Sequence, residues 1–351
     1  MRSLSKLIWI ILLLIACKKK DPPPTAPESL SNGILVLNEG LFQQNNSSIS
    51  WIDLSNSNIT SDLFLASNDR QLGDTGNDMV LHGGKIYVVM NGSGLIEVLN
   101  KQTGKSIKQI PMLNGGVNKS PRSITFHGSK GFITCYDGFV DVLDTISLSI
   151  TQRIPVGKNP EDLIVSNGKL FVSNSGGLHA PLMDSTVSVI DLVSLTELQR
   201  ITVGKNPGRI EVDTQGDIYV IARGNFGSIP SRMVRINGGD LSSVHPFDFD
   251  AFGIEKMNDQ FLISYYNFST QQSAVRLFDP QSETLINNNF IPMDQITTLY
   301  GVKYDPYRNK IYCLDAMSFT NTGYVRRYSA SGVYETSFKV GLNPNNLIFY
   351  E

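Results

Sequence analysis

From residue 33 onward the chain consists of apolar runs four to six residues long, rich in Val, Ile, Phe and Tyr, each stopped by a polar cluster such as Gly83-Gly84, Gly157-Lys158 or Asn167-Gly168. Runs of that length and composition predict β-strands, and no 3.6-residue periodicity is sustained after the first sixteen residues. Asp162 to Val165, Leu170 to Ser173, Val187 to Ile190 and Glu197 to Thr202 show the pattern best, as four successive strands. The unit repeats. Val156-Gly157-Lys158-Asn159-Pro160 returns 47 residues later as Val203-Gly204-Lys205-Asn206-Pro207, and a looser copy, Val340-Gly341-Leu342-Asn343-Pro344, lies 137 residues beyond that. A period in the forties with four short strands per unit predicts a β-propeller, not a helical solenoid.

The turns give an independent count. An Asp, Asn or Ser follows an apolar strand at Asp53, Asn100, Asp144, Asp191, Asn237, Asp279 and Ser329, at intervals of 42 to 50 residues. Such side chains bond back to the backbone two residues on and start the hairpin between the third and fourth strands of a unit. Seven positions imply seven blades. Gly33 to Leu65 holds three strands and Asn345 to Tyr350 one, so the termini are expected to share a blade and close the ring. The expected blades are 33–65 with 343–351, 77–113, 121–156, 158–203, 205–249, 251–292 and 298–340. The fold class is therefore all-β, a seven-bladed propeller closed by pairing of N- and C-terminal strands.

The N-terminus reads as a secretion signal: Arg2 and Lys6, the apolar run Leu7 to Ile15, then Leu14-Ile15-Ala16-Cys17, which resembles a lipobox. The apolar core is too short to span a bilayer as a helix. The resemblance implies cleavage before Cys17 and its acylation, which would fix the chain to a membrane. Residues 1–16 are thus expected to be a leader and 17–32, with Pro22, Pro23, Pro24 and Pro27, an extended tether without a core. The propeller then covers 33–351. Counted from Cys17 the chain carries 28 basic and 32 acidic side chains, a balance that offers no field to attract nucleic acid. Cys135 and Cys313 fall in strands of separate blades, where buried thiols are expected and a disulfide is not.

The fourth blade carries Val156-Gly157-Lys158-Asn159-Pro160, Gly168-Lys169-Leu170-Phe171-Val172 and Val187-Ser188-Val189-Ile190-Asp191. These segments resemble the YncE-like, surface-layer-type seven-bladed propellers over roughly residues 33 to 351. Joined to a lipobox, Lys18-Lys19-Lys20-Asp21 and a proline tether, the propeller resembles lipoproteins of Bacteroidetes outer membranes. That resemblance implies an outer-membrane, lipid-anchored location, at the cell surface or the periplasmic face. It also implies capture of cobalamin or another large amphipathic nutrient for a TonB-dependent transporter.

Long insertions join the second to the third strand at Asn38–Ser48, Asn174–Ser185, Arg223–Ser231, Asn267–Ser273 and Asp315–Gly323, so one face of the ring should gather loops of binding length while the other keeps tight turns. Ligand contacts are expected from the strand ends at that face, Asn38, Glu39, Asn91, Tyr136, Asp137, Asn174, Arg223, Asn225, Tyr265, Tyr266 and Asp315, and from the loop aromatics Phe42, Phe226, Phe268 and Phe319. Amides, one arginine and exposed rings suit a large neutral amphipathic ligand carrying carbonyls and amides; cobalamin, a glycan or an extended peptide fits. An equal alternative at each Asn or Asp is that it only ends its strand by a local backbone bond. Asn159, Asn206 and Asn343 are read as structural entries to the innermost strands, with Asp162, Arg209 and Asn346 as the varying channel positions. His82 and His127 occupy equivalent turns on the opposite face. His179 and His245 lack a partner at ligand spacing, so no metal or cofactor is expected. No nucleophile elbow or phosphate loop occurs, and the chain is not expected to be an enzyme. Two alternatives are carried: a protein-interaction scaffold at the envelope, and a calcium-dependent propeller hydrolase using Glu39, Asn174, Asn225 and Asp315.

Overall fold

The computed structural model of the chain describes residues 26–267, 270 and 272–351, and within them all seven Asp, Asn and Ser positions start turns. Asp144 Oδ1 accepts the backbone N–H groups of Ile146 at 3.1 Å and Ser147 at 2.6 Å, and Asp191 does the same for Val193 and Ser194. Asp53, Asn100, Asn237, Asp279 and Ser329 make the corresponding bonds. These bonds hold the exposed carboxyls of Asp144 and Asp191 below the usual aspartate range, since they favour the charged form.

The hairpins so started build seven four-stranded antiparallel sheets. The innermost strands are Pro344–Phe349 in blade 1, Gly76–His82 in blade 2, Pro121–His127 in blade 3 and Pro160–Ser166 in blade 4. Blades 5, 6 and 7 begin with Pro207–Val212, Gly253–Met257 and Leu299–Asp305. Blade 1 closes the ring as expected: Gly33–Asn38 pairs with Pro344–Phe349, Leu35 opposite Ile348 and Val36 opposite Leu347. Two details differ from the expectation. The outer strand of blade 1 is the short Ile59–Thr60, and the chain then turns into a helix, Leu63–Asn68, capped by Asp62, whose Oδ1 accepts the Leu65 N–H at 3.0 Å. Residues before Gly33 are already docked: Leu30 is buried among the core side chains of blades 1 and 2, and its N–H donates to Gln102 O at 2.7 Å. Cys17 and the leader lie outside the described residues.

The core lies between blades. Seven apolar clusters fill the seven gaps, for example Val89, Ile96 and Ile110 of blade 2 against Ile124, Ile133 and Leu143 of blade 3. Middle strands are covered on both faces, which is why Lys85–Met90 and Lys169–Asn174 read as unbroken apolar runs and not as alternation. Outer strands such as Thr196–Thr202 are largely exposed. Cys135 and Cys313 are free and buried.

The repeated Gly has a packing reason. A Cβ on Gly157 would stand 2.4 Å from Asn174 Cγ, and one on Gly341 would stand 2.6 Å from Asn38 Cγ. The two Asn residues hold equivalent positions, opposite Pro160 and Pro344 in their sheets. Gly157→Ala is expected to cost about 1–3 kcal/mol by overpacking. Urea denaturation should show that cost falling by at least about 0.5 kcal/mol when Asn174 is already Gly, which removes both the Cγ and the Cβ in the way; strict additivity would rule out the contact as the cause.

Candidate functional site: the mouth of the central channel

The Asn-Pro entries are structural. Asn159, Asn206 and Asn343 take left-handed φ values of 42°, 56° and 54°, and Asn159 Nδ2 donates to Tyr136 O while Asn343 Nδ2 donates to Gly40 O, both at 2.9 Å. Each entry delivers the chain to the channel, and a β-bulge follows at once. In blade 3 Pro121 faces Cys135 but Ile124 faces Ile133; blades 4 and 5 repeat this shift, and blades 1, 2 and 7 carry a related one. Bulges re-aim side chains. Here they accompany pairs of consecutive polar residues along the channel wall: Asn77-Asp78, Arg122-Ser123, Glu161-Asp162 and Asn345-Asn346.

The channel encloses about 700 Å³ and opens on the loop-bearing face. A series of polar contacts runs along its wall from blade 1 to blade 4. Ser123 Oγ lies 3.0 Å from both Asp78 Oδ2 and Asp162 Oδ1, Asn346 Nδ2 donates to Asp78 Oδ1 at 2.6 Å, and Ile124 N donates to Asp78 Oδ2 at 3.0 Å. Burial pushes the Asp162 carboxyl above its usual range against the pull of Arg209.

Around the mouth the two sides differ. On blades 3 to 5, Arg122 Nη2 pairs with Glu161 Oε1 at 2.8 Å, Arg223 Nη2 lies 3.6 Å from the same oxygen, and the Tyr136 hydroxyl donates to Glu161 Oε2. Burial alone would raise the Glu161 pKa, but the two guanidiniums and the phenol hold it well below the usual carboxylate range. Gly208 makes this possible, because a Cβ there would meet Arg223 Nε at 2.7 Å. On blades 6 and 7 the wall is aromatic: Phe252, Tyr265, Tyr266, Tyr300 and Phe319 line the cavity, with Tyr300 and Phe319 edge to face at 5.7 Å. Glu39 joins the two sides by accepting the Tyr300 hydroxyl. Burial raises its pKa, partly offset by Tyr300 and by Arg122.

A family model described as a domain of unknown function, DUF5074, matches residues 32–341. The chain belongs to the DUF5074 family. No curated protein matches it in sequence. Among solved structures, this DUF5074 chain is similar to a quinonprotein alcohol dehydrogenase-like protein from Bacteroides thetaiotaomicron, at TM-score 0.68 and 14% identity over 92% of this chain and 79% of that one. It is also similar to a functionally unknown protein from Desulfotomaculum acetoxidans, at TM-score 0.64 and 12% identity, covering 91% and 99%. A third match is hydrazine synthase from Kuenenia stuttgartiensis, at TM-score 0.59 and 12% identity, covering 75% and 85%. At such identities the likeness extends to the propeller fold.

The DUF5074 structure sorts the residues expected at the site. Glu39, Arg223, Tyr265, Tyr266 and Phe319 line the channel, and Tyr136 reaches it through Glu161. Phe226 is exposed and stacks at 6.4 Å on Phe252 of the aromatic wall; Phe42 stands exposed on its loop. Three expectations are corrected by burial. Asn38 and Asn174 are fully enclosed, their amide N–H groups donated to Ser48 and Ser50 and to Thr186 and Ser188, and Asp315 is fully enclosed between Arg326 and the N–H groups of Thr297, Thr298 and Met317. Three more are held locally and stay out of the channel lining: Asn91 by Pro121 O at 3.0 Å, Asp137 by Arg153 at 2.6 Å, and Asn225 by the N–H groups of Gly227 and Ile229. The four residues considered for calcium therefore do not converge. Among the described residues no group of three or more His, Cys, Asp or Glu is placed to hold a metal ion, and Phe268 lies outside them. Sequence reasoning passed over Arg122, Glu161 and Tyr300. Arg122 and Glu161 stand directly after Pro121 and Pro160, so reading the residue after each entry proline as well as the next would have found both.

Toward the turn-bearing face the channel holds Glu211 and Glu255. Burial and the neighbouring Glu255 charge push the Glu211 pKa up to about 7. Its proton is held more tightly in the folded chain, so the stabilisation is complete below the ordinary glutamate value of 4.5 and is lost as pH rises through about 7. Glu211→Gln is expected to flatten the fall in stability between those pH values, a term of at most about 3 kcal/mol. Urea midpoints measured across that range check it, and an unchanged slope would refute it.

Proposed function

We propose that the channel mouth binds a ligand and that the chain works as an outer-membrane lipoprotein, anchored through acylated Cys17, that passes this ligand to a membrane partner. The observation that carries the reading is the two-sided mouth: a wall of guanidinium, carboxylate and phenol groups facing a wall of aromatic rings across one cavity. Such a site suits a large amphipathic ligand whose polar edge and flat apolar face need different partners. Cobalamin is the candidate that the YncE-like resemblance and the Bacteroidetes-type anchor suggest, with a TonB-dependent transporter as the receiving partner. Titration of the chain with cyanocobalamin should give saturable heat or an absorbance change at micromolar ligand, lost on Tyr265→Ala and Phe319→Ala. Absence of both signals would eliminate cobalamin.

A second reading, a protein-docking face, is favoured by one further feature. Phe42, Leu178, Leu182 and Phe226 stand 62–74% exposed on the loops that crown the same face, and clustered exposed apolar groups mark interaction surfaces. It predicts a stable complex recovered from envelope extracts and dissolved by Phe42→Ser with Phe226→Ser.

A further inference from the structure

Arg209 is the most exposed of the channel guanidiniums Arg122, Arg209 and Arg223, and its hydrogen-bonding capacity is unspent. Arg122 and Lys303 each place a nitrogen on a carboxylate within hydrogen-bond distance, 2.8 Å from Glu161 and 3.3 Å from Glu255. The Arg209 guanidinium, by contrast, has an ion pair with Asp162 at 3.7 Å and no hydrogen bond to any described residue, and its side chain is 48% exposed. Arg223 beside it reaches Glu161 only at 3.6 Å, and its Nε, like that of Arg122, is buried without a partner. The three guanidiniums stand among the lining carboxylates Glu39, Asp78, Glu161 and Asp162, so what sets Arg209 apart is its exposure and its unbonded N–H groups, not an excess of charge.

Ring order gives this residue its meaning. Blade 5 carries Arg209 and stands between blade 4, which supplies Glu161 and Asp162, and blade 6, which supplies Phe252, Tyr265 and Tyr266. Arg209 therefore sits at the seam between the charged and aromatic walls. The fork of a guanidinium matches an oxyanion with two parallel donors, and an adjoining ring face takes a flat apolar body. We infer that the mouth selects ligands bearing a carboxylate or equivalent oxyanion on a planar apolar body, the oxyanion on Arg209 and the body on Phe252 and Tyr265. The inference rests on the ligand-binding reading of the mouth and adds the chemical class.

Three small probes of one shape test it on the full chain: benzoate, benzamide and the benzylammonium ion, compared by calorimetric competition. Benzoate is expected to bind at least about tenfold tighter than either of the others, one such factor being a typical charge-assisted contribution. Arg209→Gln should remove that preference while leaving benzamide within about twofold, and Arg209→Lys should retain part of it, which separates lost recognition from lost folding. Preference for benzylammonium, or a benzoate preference that survives Arg209→Gln, would overturn the inference. Benzamide binding without any benzoate preference would overturn it and leave the mouth as a site. Binding of none of the three would also overturn it, and the cobalamin titration then decides the broader reading separately.

Discussion

A chain ending at Leu342 should show no cooperative melting transition. Residues 344–349 form the innermost strand of blade 1, so their loss leaves Gly33–Asn38 with one edge unpaired and the ring open between blades 7 and 2. Leu347, Ile348 and Tyr350 are buried in the two flanking apolar clusters, and Tyr350 meets the Trp51 ring edge to face at 5.3 Å. At about 2 kcal/mol for each large apolar side chain, these three alone contribute about 6 kcal/mol, comparable with the whole stability of an ordinary domain. Asn346, which donates to Asp78 of the neighbouring blade 2, goes with them. Calorimetry of the truncated chain tests this directly, and a peptide of residues 343–351 added in trans should restore the transition by filling the vacant strand position. A truncated chain that melts within a few degrees of the full one would show that the ring does not need its clasp.

Glu161→Ala should be the most damaging single change at the mouth, costing about 3–5 kcal/mol. The loss comes less from the pair itself than from what remains: the Arg122 and Arg223 side chains, only 20% and 24% exposed, would keep their charges without a counter-ion, and the Tyr136 hydroxyl would lose its acceptor. Replacing Arg122 by Met together with Glu161 by Leu should cost clearly less than the sum of the two single changes, since no charge is then stranded. The acid limb offers a second readout. With its pKa held low, Glu161 contributes stability that is present above the ordinary glutamate value and is lost as pH falls through the folded value. Glu161→Gln should therefore lose less stability than the native chain between pH 4.5 and acid. Equal acid sensitivity of the two would mean that the guanidiniums do not hold this carboxylate charged.

The fold was legible because its signals are local. An Asp at the end of a strand bonds to N–H groups two and three residues on, whatever the rest of the chain does, and Asp144 and Asp191 carry that chemistry in five residues of sequence. Blade number and ring closure follow from counting such turns. The mouth was less legible because its contacts cross blades: Arg122 finds Glu161 from 39 positions away, and Tyr300 finds Glu39 from 261. An Asn at a strand end also has two lives that sequence does not separate. Asn38 and Asn174 looked like ligand groups, and their seats against Gly341 and Gly157 put them inside the sheets. The glycine of the repeat was the clue, since its missing side chain marks where a neighbouring blade element comes close.

The chain enters the propeller where Leu30 meets Gln102 in the turn between the outer strands of blade 2 and Asn32 donates to Glu351 O. Both contacts lie on the face that carries the tight turns, whereas Glu39, Phe319 and the long insertions stand on the other. The mouth of the channel is therefore turned away from the point at which the chain enters the propeller. A support attached at the N-terminus and a molecule at the mouth would not compete for space. Coupling the N-terminus to a solid surface will leave the mouth accessible.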